Sequence, residues 1–258
     1  MNNNYYCIIM AGGMGRRFWP YSRKALPKQF LDFFGTGQTL LQQTFDRYKK
    51  IVPPSNIYIT TYKDYKQIVL DMLPEITESQ LIVEEERRNT APSIAYASHV
   101  IQKINPDATI VVAPSDHLIL KAFHEMMSEI CPRVECDVPD FTSCPNISID
   151  YSIMEKADNV YVQLCDFGWA DLGTWDALYD ASPKDMNRNV IINSNTLLYN
   201  CKNSIVLVPE GQLAVVQDLD GYLVASRDNV LLICKKDDQD SIRKFVNDVE
   251  MKFEEKYS

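Results

Sequence analysis

The first half of the chain alternates short apolar runs with longer runs whose apolar residues recur every three or four positions. The short runs are typical of strands buried in a parallel sheet, and the longer ones are typical of amphipathic helices. The predicted strands span 7–10, 57–61, 81–84 and 109–113, and the predicted helices span 40–50, 65–73 and 91–104. This order predicts an α/β fold, a doubly wound and mostly parallel (mixed) sheet with helices on both faces.

The pattern changes at a polar stretch over 182–189. Short alternating strands follow, separated by turns, and a terminal amphipathic helix begins at Asp240. The strands are predicted at 190–192, 197–199, 205–208, 213–216, 222–225 and 230–234. We therefore expect an α/β domain over residues 1–183 and a small β-rich C-terminal domain over 184–258.

A cluster of glycines, Gly12, Gly13 and Gly15, follows directly after the first predicted strand. Glycine lets a backbone turn present its N–H groups to an anion, and an arginine adds a fork that matches phosphate. The spacing fits neither the dinucleotide-binding fingerprint nor a Walker loop. On the glycines alone an ordinary turn is the better interpretation, but Arg17 and Lys28 nearby favour phosphate binding.

Polar residues also follow the third and fourth predicted strands, as Arg88-Asn89-Thr90 and Ser115-Asp116. The carboxyl ends of parallel strands share one edge of a sheet, so these residues and the glycine cluster are expected in one site. Asp116 suits either a Mg²⁺ ligand or the cap of a following helix. Asp171 is a candidate for a second carboxylate, its alternative being a surface turn. Asn89 or Thr90 is expected to cap the helix that follows.

Composition excludes some classes of partner. The chain has 258 residues and a net charge of −9, so neither nucleic acid nor a membrane surface is an expected partner. The local basic cluster of Arg16, Arg17, Arg23, Lys24 and Lys28 instead suits a small polyanion. Seven cysteines without a Cys-x-x-Cys pair indicate reduced thiols. With no signal-peptide pattern at the start and no long apolar segment, we expect a cytoplasmic protein.

Several ordered blocks resemble the sugar-nucleotide pyrophosphorylases, the nucleotidyltransferases that join a nucleoside triphosphate to a sugar 1-phosphate. Within this family the chain is similar to the members that use GTP and mannose 1-phosphate. The blocks are Gly12-Gly13-Met14-Gly15-Arg16-Arg17-Phe18-Trp19-Pro20, Pro27-Lys28-Gln29-Phe30, Arg88-Asn89-Thr90-Ala91-Pro92, Pro114-Ser115-Asp116-His117, Ser148-Ile149-Asp150-Tyr151 and Trp169-Ala170-Asp171-Leu172-Gly173-Thr174-Trp175.

The resemblance implies a Mg²⁺-assisted attack of the sugar phosphate on the α-phosphorus of GTP, which gives GDP-mannose and pyrophosphate. It implies metal ligands at Asp116 and Asp171, and catalytic roles for those two residues with Arg17 and Lys28. It places nucleotide contacts at Ala11, Gly12, Gly13, Gly15, Arg17, Lys28, Arg88, Asn89, Thr90 and Ser115. It also places Asp150, Glu155 and Lys156 near the sugar phosphate, and it implies a homodimer through the C-terminal domain.

Some residues in these blocks have plainer interpretations. Lys156 is better explained as part of an exposed helix end than as a sugar ligand. His117 is expected to order its loop more than to face the site. Trp19, Trp169 and Trp175 are expected in the core, because large aromatic side chains bury the most apolar area.

The chain departs from the family by an internal loss after about Leu120, where the sugar-contacting motifs of the family are absent. As written, it is expected to bind GTP with little or no synthesis of GDP-mannose. Two alternatives stay open: a non-catalytic nucleotide-binding or assembly subunit, and a pyrophosphorylase for another nucleoside triphosphate or hexose 1-phosphate.

Overall fold

The computed structural model describes residues 3–119, 144–162, 169–192, 194–253 and 257. The chain divides into two compact units, each assembled from separate segments. The first comprises Met1–Gly12, Leu41–Ser115 and Ile119–Trp169, and the second comprises Gly13–Leu40, Asp116–Leu118 and Ala170–Ser258. The domain boundary expected at residue 183 stays a prediction. The predicted internal loss after about Leu120 lies outside the described residues.

The first unit is built on a parallel sheet, as the apolar runs predicted. Its strands are β1 (Tyr5–Met10), β2 (Ile57–Tyr62), β3 (Leu81–Glu84) and β4 (Thr109–Pro114). They are ordered β3-β2-β1-β4, and all of the pairings are parallel. From β1 the chain adds β2 and β3 on one side of β1 and then adds β4 on the other side. The carboxyl ends of β1 and β4 therefore form a topological switch point, which is where such sheets bind ligands.

Helices cover this sheet because their apolar residues recur at helical spacing. They are α1 (Leu40–Tyr48), α2 (Lys66–Met72) and α3 (Thr90–Ile104). The buried side chains of α3, Ala97 and Ile101, pack with Ile8 and Ile82 of the strands. The Asn89 side chain caps α3 by accepting a hydrogen bond from the Thr90 N–H at 2.9 Å, which confirms the predicted cap.

The second unit contains the β-rich C-terminal part of the chain. Its strands are β7 (Val190–Ile192), β8 (Asn195–Tyr199), β9 (Ile205–Leu207), β10 (Leu213–Gln217), β11 (Tyr222–Arg227) and β12 (Val230–Lys235). They form one sheet ordered β12-β11-β9-β7 and another formed by β10 and β8. The strands from β7 to β11 alternate between these two sheets and pair in parallel, so this part of the chain winds as a short solenoid. The strand β12 adds to β11 in the antiparallel direction. The expectation of a β-rich C-terminal part is confirmed.

The core of the second unit joins residues from both ends of the chain. The Phe18 ring lies 4.8 Å from that of Phe33 and 5.1 Å from that of Trp175, at the start of α4 (Trp175–Ala181). Val246 of α5 (Gln239–Phe253) belongs to the same buried cluster. The short strands β5 (His117–Ile119) and β6 (Trp169–Asp171) pair with each other.

The tryptophan expectation is confirmed at two of its three positions. Trp19 and Trp175 are buried, but Trp169 is 55% exposed, so its assignment to the core was wrong. The physical reason is that Trp169 begins β6, a short strand that, within the described part of the chain, pairs with β5 alone, and the first and last residues of β6 are exposed.

No helix of the described residues is both long and apolar enough to span a bilayer.

Candidate active site

The glycine turn of the second unit depends on a left-handed residue. Gly15 has a φ of 63° and leads into a short 3₁₀ turn over Arg16–Phe18. A Cβ at Gly15 would lie 2.6 Å from Ser22 Oγ and 3.0 Å from the Cβ and Cγ atoms of Lys28. The absence of a side chain at Gly15 therefore lets the Lys28 stem pass directly beside the turn.

Two side chains hold this turn by hydrogen bonds to its carbonyls. The buried Gln29 amide donates to the Gly13 carbonyl at 2.9 Å. The Ser22 hydroxyl donates to the Met14 carbonyl at 3.3 Å. Lys28 and Gln29 both belong to the 3₁₀ turn over Lys28–Phe30, so one element both holds the glycine turn and positions the lysine.

Lys28 contacts the segments that carry the two predicted metal ligands. Its ammonium forms an ion pair with the Asp116 carboxylate and donates to the Leu172 carbonyl at 3.2 Å. The Leu172 N–H in turn donates to the Asp116 carbonyl at 3.4 Å. Three segments that lie far apart in the sequence therefore meet at this lysine. The resemblance implies a role for one residue in each segment, namely Lys28, Asp116 and Asp171.

The acidic residues converge as well. One ligand atom each from Asp116, His117 and Asp171 lies within 4.8 Å of the others. A Cβ at Gly173 would lie 3.3 Å from an Asp171 carboxylate oxygen and 3.4 Å from Arg17 Nη1. The predicted catalytic residues Arg17, Lys28, Asp116 and Asp171 thus lie in one unit and close together.

Four residues of the basic cluster noted in the sequence separate into two groups. Arg17 and Lys28 lie beside the acidic residues, whereas Arg16 pairs with Glu250 of α5 at 3.3 Å. Arg23 donates to the Arg227 carbonyl at 2.8 Å, which ties it to the end of β11. Arg16 and Arg23 are therefore engaged in packing, and Arg17 and Lys28 supply the positive charge of the site.

In the first unit, predicted nucleotide contacts lie at the switch point of the sheet. The Ser115 N–H donates to the Met10 carbonyl at 3.1 Å, which joins the ends of β4 and β1. Ala11 is held to the end of β2, where its N–H donates to the Thr60 carbonyl at 2.8 Å and its carbonyl accepts from the Thr61 hydroxyl at 3.0 Å. Gly12 follows Ala11 at this edge of the sheet.

Glu84 and Arg87 add a charged pair beside Gly12. Arg87 donates to the Gly12 carbonyl, and its guanidinium carbon lies 4.1 Å from the ring centre of Tyr62. A Cβ at Gly12 would lie 3.7 Å from Glu84 Oε2, an ordinary contact. Burial raises the pKa of the Glu84 carboxyl, while a hydrogen bond from Ser93 and the charge of Arg87 oppose that shift.

The segment that carries the predicted sugar-phosphate residues is attached to the start of α3. The Ile149 N–H donates to the Thr90 hydroxyl at 2.9 Å, and the Ala91 N–H donates to the Ile147 carbonyl at 3.2 Å. Asp150 begins a turn of π-helix over Asp150–Met154. Asp150, Glu155 and Lys156 are all exposed, and their proposed role stays a prediction.

Arg88 combines an ion pair with a buried donor. Its guanidinium pairs with Glu86, yet among the described residues Arg88 Nε is buried and has no hydrogen-bond partner. A buried donor without an acceptor costs free energy, so this atom is a candidate for a ligand contact.

Sequence reasoning missed Glu84 and Arg87 and assigned His117 to a loop role. Glu84 ends β3 at the same edge of the sheet as Gly12 and Ser115, and that position could have identified it. The contact of Arg87 with the Gly12 carbonyl depends on tertiary packing and has no local signal.

Comparisons with known proteins agree on the family. A mannose-1-phosphate guanylyltransferase from Sinorhizobium fredii is 26% identical over 346 aligned positions, covering 92% of this chain and 66% of the relative. Mannose-1-phosphate guanylyltransferase 2 from Escherichia coli O157:H7 is 25% identical over 351 positions, covering 93% and 72%. Both alignments are longer than the 258 residues of this chain, so each relative carries internal residues that have no counterpart here.

A solved structure supports the fold. The crystal structure of a mannose-1-phosphate geranyltransferase from Thermus thermophilus superposes with a TM-score of 0.77 at 24% identity, covering 96% of this chain and 99% of that one. The chain spans about two thirds of the length of the Sinorhizobium relative. Residues 6–136, more than half of the chain, match the family model described as nucleotidyl transferase, and the chain therefore belongs to the nucleotidyl transferase family.

Proposed function

We propose that the chain transfers a guanylyl group from GTP to mannose 1-phosphate. An oxygen of the sugar phosphate would attack the α-phosphorus of GTP, and the bond to the β-phosphate would break to release pyrophosphate. The observation that carries this proposal is the convergence of Arg17, Lys28, Asp116 and Asp171 beside the Gly15 turn. The names of the relatives support the choice of base and sugar.

The acidic residues suit a hard divalent cation. Asp116 and Asp171 offer carboxylate oxygens whose separation is within 4.8 Å, and Mg²⁺ in phosphoryl-transfer sites takes one or two protein carboxylates. Asp116 and Asp171 would therefore hold Mg²⁺. When bound, this ion would neutralise charge on the phosphates and help to align them.

Side chains and backbone N–H groups at the glycine turn would bind the phosphates and neutralise their charge. Arg17 and the N–H groups of residues 13–15 would bind the phosphates that leave as pyrophosphate. Lys28 would exchange its partner Asp116 for a phosphate oxygen and neutralise the charge that develops there. Such a transfer depends mainly on positioning and charge neutralisation, because no covalent intermediate on the protein is needed.

For the nucleoside we propose Arg88, Asn89 and Thr90 as contacts. The unpartnered Arg88 Nε supports this proposal for Arg88. Asn89 and Thr90 already serve as helix cap and as acceptor for Ile149, roles that leave their remaining polar groups able to bind a ligand. The cytoplasmic location expected from the cysteines stays a prediction.

A second candidate function is GTP binding without synthesis. It is favoured by the internal residues that the relatives have and this chain lacks. If those residues include the sugar-binding motifs, the chain would hold the nucleotide but would not position mannose 1-phosphate. A related enzyme that uses another nucleoside triphosphate or hexose 1-phosphate would be recognised by its substrate preference.

One set of assays tests these proposals. Purified protein is incubated with Mg²⁺, each nucleoside triphosphate, and mannose or glucose 1-phosphate, while pyrophosphate and nucleotide sugar are quantified. The primary proposal predicts the fastest turnover with GTP and mannose 1-phosphate. The second candidate predicts calorimetric GTP binding with no pyrophosphate release.

Substitution of the carboxylates tests the site itself. Asp116→Asn and Asp171→Asn should each lower kcat/KM by about a hundredfold or more, because each removes a metal-binding charge. In a preparation that does not turn over, Mg²⁺-dependent GTP binding replaces the rate as the readout. Asp237→Asn is the control, since Asp237 is an exposed turn residue of the same unit. Wild-type values in both site variants would contradict the proposal.

A further inference from the structure

We propose that His117 is a third protein ligand to the divalent cation, and that its nitrogen makes the site bind Mn²⁺ more tightly than Mg²⁺. The inference rests on the proposed function, because it concerns the cation that Asp116 and Asp171 would hold. It goes further by giving the site a nitrogen ligand and therefore a preference among metals.

The three side chains reach one point from two paired strands. His117 begins β5 and Asp171 ends β6, and these strands pair with each other. The hydrogen bond from the Leu172 N–H to the Asp116 carbonyl continues this pairing by one step. One ligand atom of each side chain consequently lies within 4.8 Å of the others. Because the backbone fixes the spacing, a cation could use all three groups without a change of fold.

The charge of the cluster is compatible with a cation. Two cationic side chains, Arg17 and Lys28, lie beside the two carboxylates of Asp116 and Asp171, and the Lys28 ammonium pairs with Asp116. The Lys28 ammonium also contacts the Leu172 carbonyl. A divalent ion that binds both carboxylates would replace the ammonium as the partner of Asp116 and leave Lys28 to bind a phosphate, as proposed above.

The chemistry of the donor set decides whether the site prefers Mn²⁺ or Mg²⁺. Mg²⁺ prefers oxygen ligands, whereas imidazole nitrogen suits first-row transition metals. Mn²⁺ takes carboxylate oxygens readily and stands at the start of the transition-metal affinity series. A site with two carboxylates and one imidazole is therefore expected to bind Mn²⁺ in preference to Mg²⁺, and removal of the imidazole should reduce that preference.

The test binds Mn²⁺ alone to the full chain and detects its ligands by pulsed electron paramagnetic resonance. A directly bound imidazole gives a ¹⁴N modulation, which changes to the ¹⁵N pattern when histidine is ¹⁵N-labelled. We expect this signal in the wild-type chain and its loss in His117→Ala. We also expect Mn²⁺ affinity to fall about tenfold in that variant, with a change of less than about threefold for Mg²⁺.

A matched variant assigns the nitrogen even if His117→Ala fails to fold. The chain has three histidines, so the double variant His99→Gln and His124→Gln leaves His117 alone. The inference requires the modulation to persist in that variant. Mn²⁺ binding that depends on Asp116 and Asp171 but shows no nitrogen signal would overturn the inference and leave the proposed carboxylate site intact. Mn²⁺ binding that is insensitive to Asp116→Asn and Asp171→Asn would overturn the proposed metal role itself.

Discussion

Gly15 connects the backbone of the glycine turn to the position of Lys28, for which a catalytic role is proposed. Its positive φ is one that residues with a Cβ adopt only at a cost, and its missing side chain leaves room for Lys28. The sequence predicted a phosphate site here because Arg17 and Lys28 accompany the glycine cluster, and the resemblance implied the catalytic role of Lys28. It did not predict that the lysine passes against this particular glycine.

Gly15→Ala should therefore lower the free energy of unfolding by about 1–3 kcal/mol, since the added Cβ meets both strain and close neighbours. Because those neighbours include Lys28, GTP affinity should fall as well. Urea denaturation and calorimetry measure the two effects. Gly13→Ala is the control for stability, because a Cβ at Gly13 has nothing within 4 Å. Equal unfolding free energies of the two variants would contradict the argument.

Glu84 is a buried carboxyl whose titration should affect stability. Burial raises its pKa above the ordinary value of 4.5 in the folded state. The folded protein therefore binds this proton more tightly than the unfolded chain does. Consequently, the contribution of Glu84 to stability is largest at low pH and is lost as the pH rises from about 4.5 through the folded-state pKa.

Glu84→Gln should remove this pH-dependent loss, because glutamine does not titrate. We expect the unfolding free energy of the variant, relative to wild type, to increase as the pH rises from about 4.5 through the folded-state pKa of Glu84. Denaturation at several pH values measures this difference. The exposed residue Glu210 provides the control variant Glu210→Gln, which should parallel wild type. A parallel curve for Glu84→Gln would show that the carboxyl is not desolvated.

At the scale of elements, the strands and helices of the first unit were predictable from local pattern. The prediction for β3 matches its observed bounds, and the predicted strand over 109–113 extends by one residue in β4. The helix predicted over 65–73 begins instead with a 3₁₀ turn over Lys63–Tyr65, followed by α2. Such ends depend on capping and packing, which periodicity does not encode.

Asn189 joins the coils of the solenoid at the start of β7. This buried side chain donates to the Cys201 carbonyl at 2.9 Å and accepts from the Ser204 N–H at 3.1 Å. It also donates to the Asp185 carboxylate at 3.1 Å. One asparagine thereby satisfies backbone groups between adjacent coils, a role that composition alone could not indicate.

Asn189→Ala should lower the free energy of unfolding by at least about 2 kcal/mol, because buried backbone groups lose their partners. Thermal and urea denaturation measure this loss. Asn195→Ala is the control, because Asn195 is an exposed residue at the start of β8 and its removal should have little effect. Similar losses in both variants would refute the specific role of Asn189.

At the scale of the whole molecule, pattern reasoning identified a parallel sheet and a β-rich end but not how segments combine. A change in composition along the chain can suggest only a division into contiguous domains. The compact units are discontinuous, because they are defined by long-range packing such as that of Phe18 with Trp175 and Val246. The convergence of Lys28, Asp116 and Asp171 depends on the same long-range packing. Their residue types were predictable, but their distances were not.

The discontinuous make-up of the second unit has a consequence for biosynthesis. Its earliest segment, Gly13–Leu40, is translated long before the solenoid and α5, which complete its core. On the ribosome the core that buries Phe18 and Phe33 therefore stays incomplete until the solenoid and α5 have been translated. Contacts so distant in sequence slow folding and prolong the lifetime of aggregation-prone intermediates. The glycine turn would accordingly be among the last parts of a nascent chain to mature, and dependence on chaperones during synthesis is the expected result.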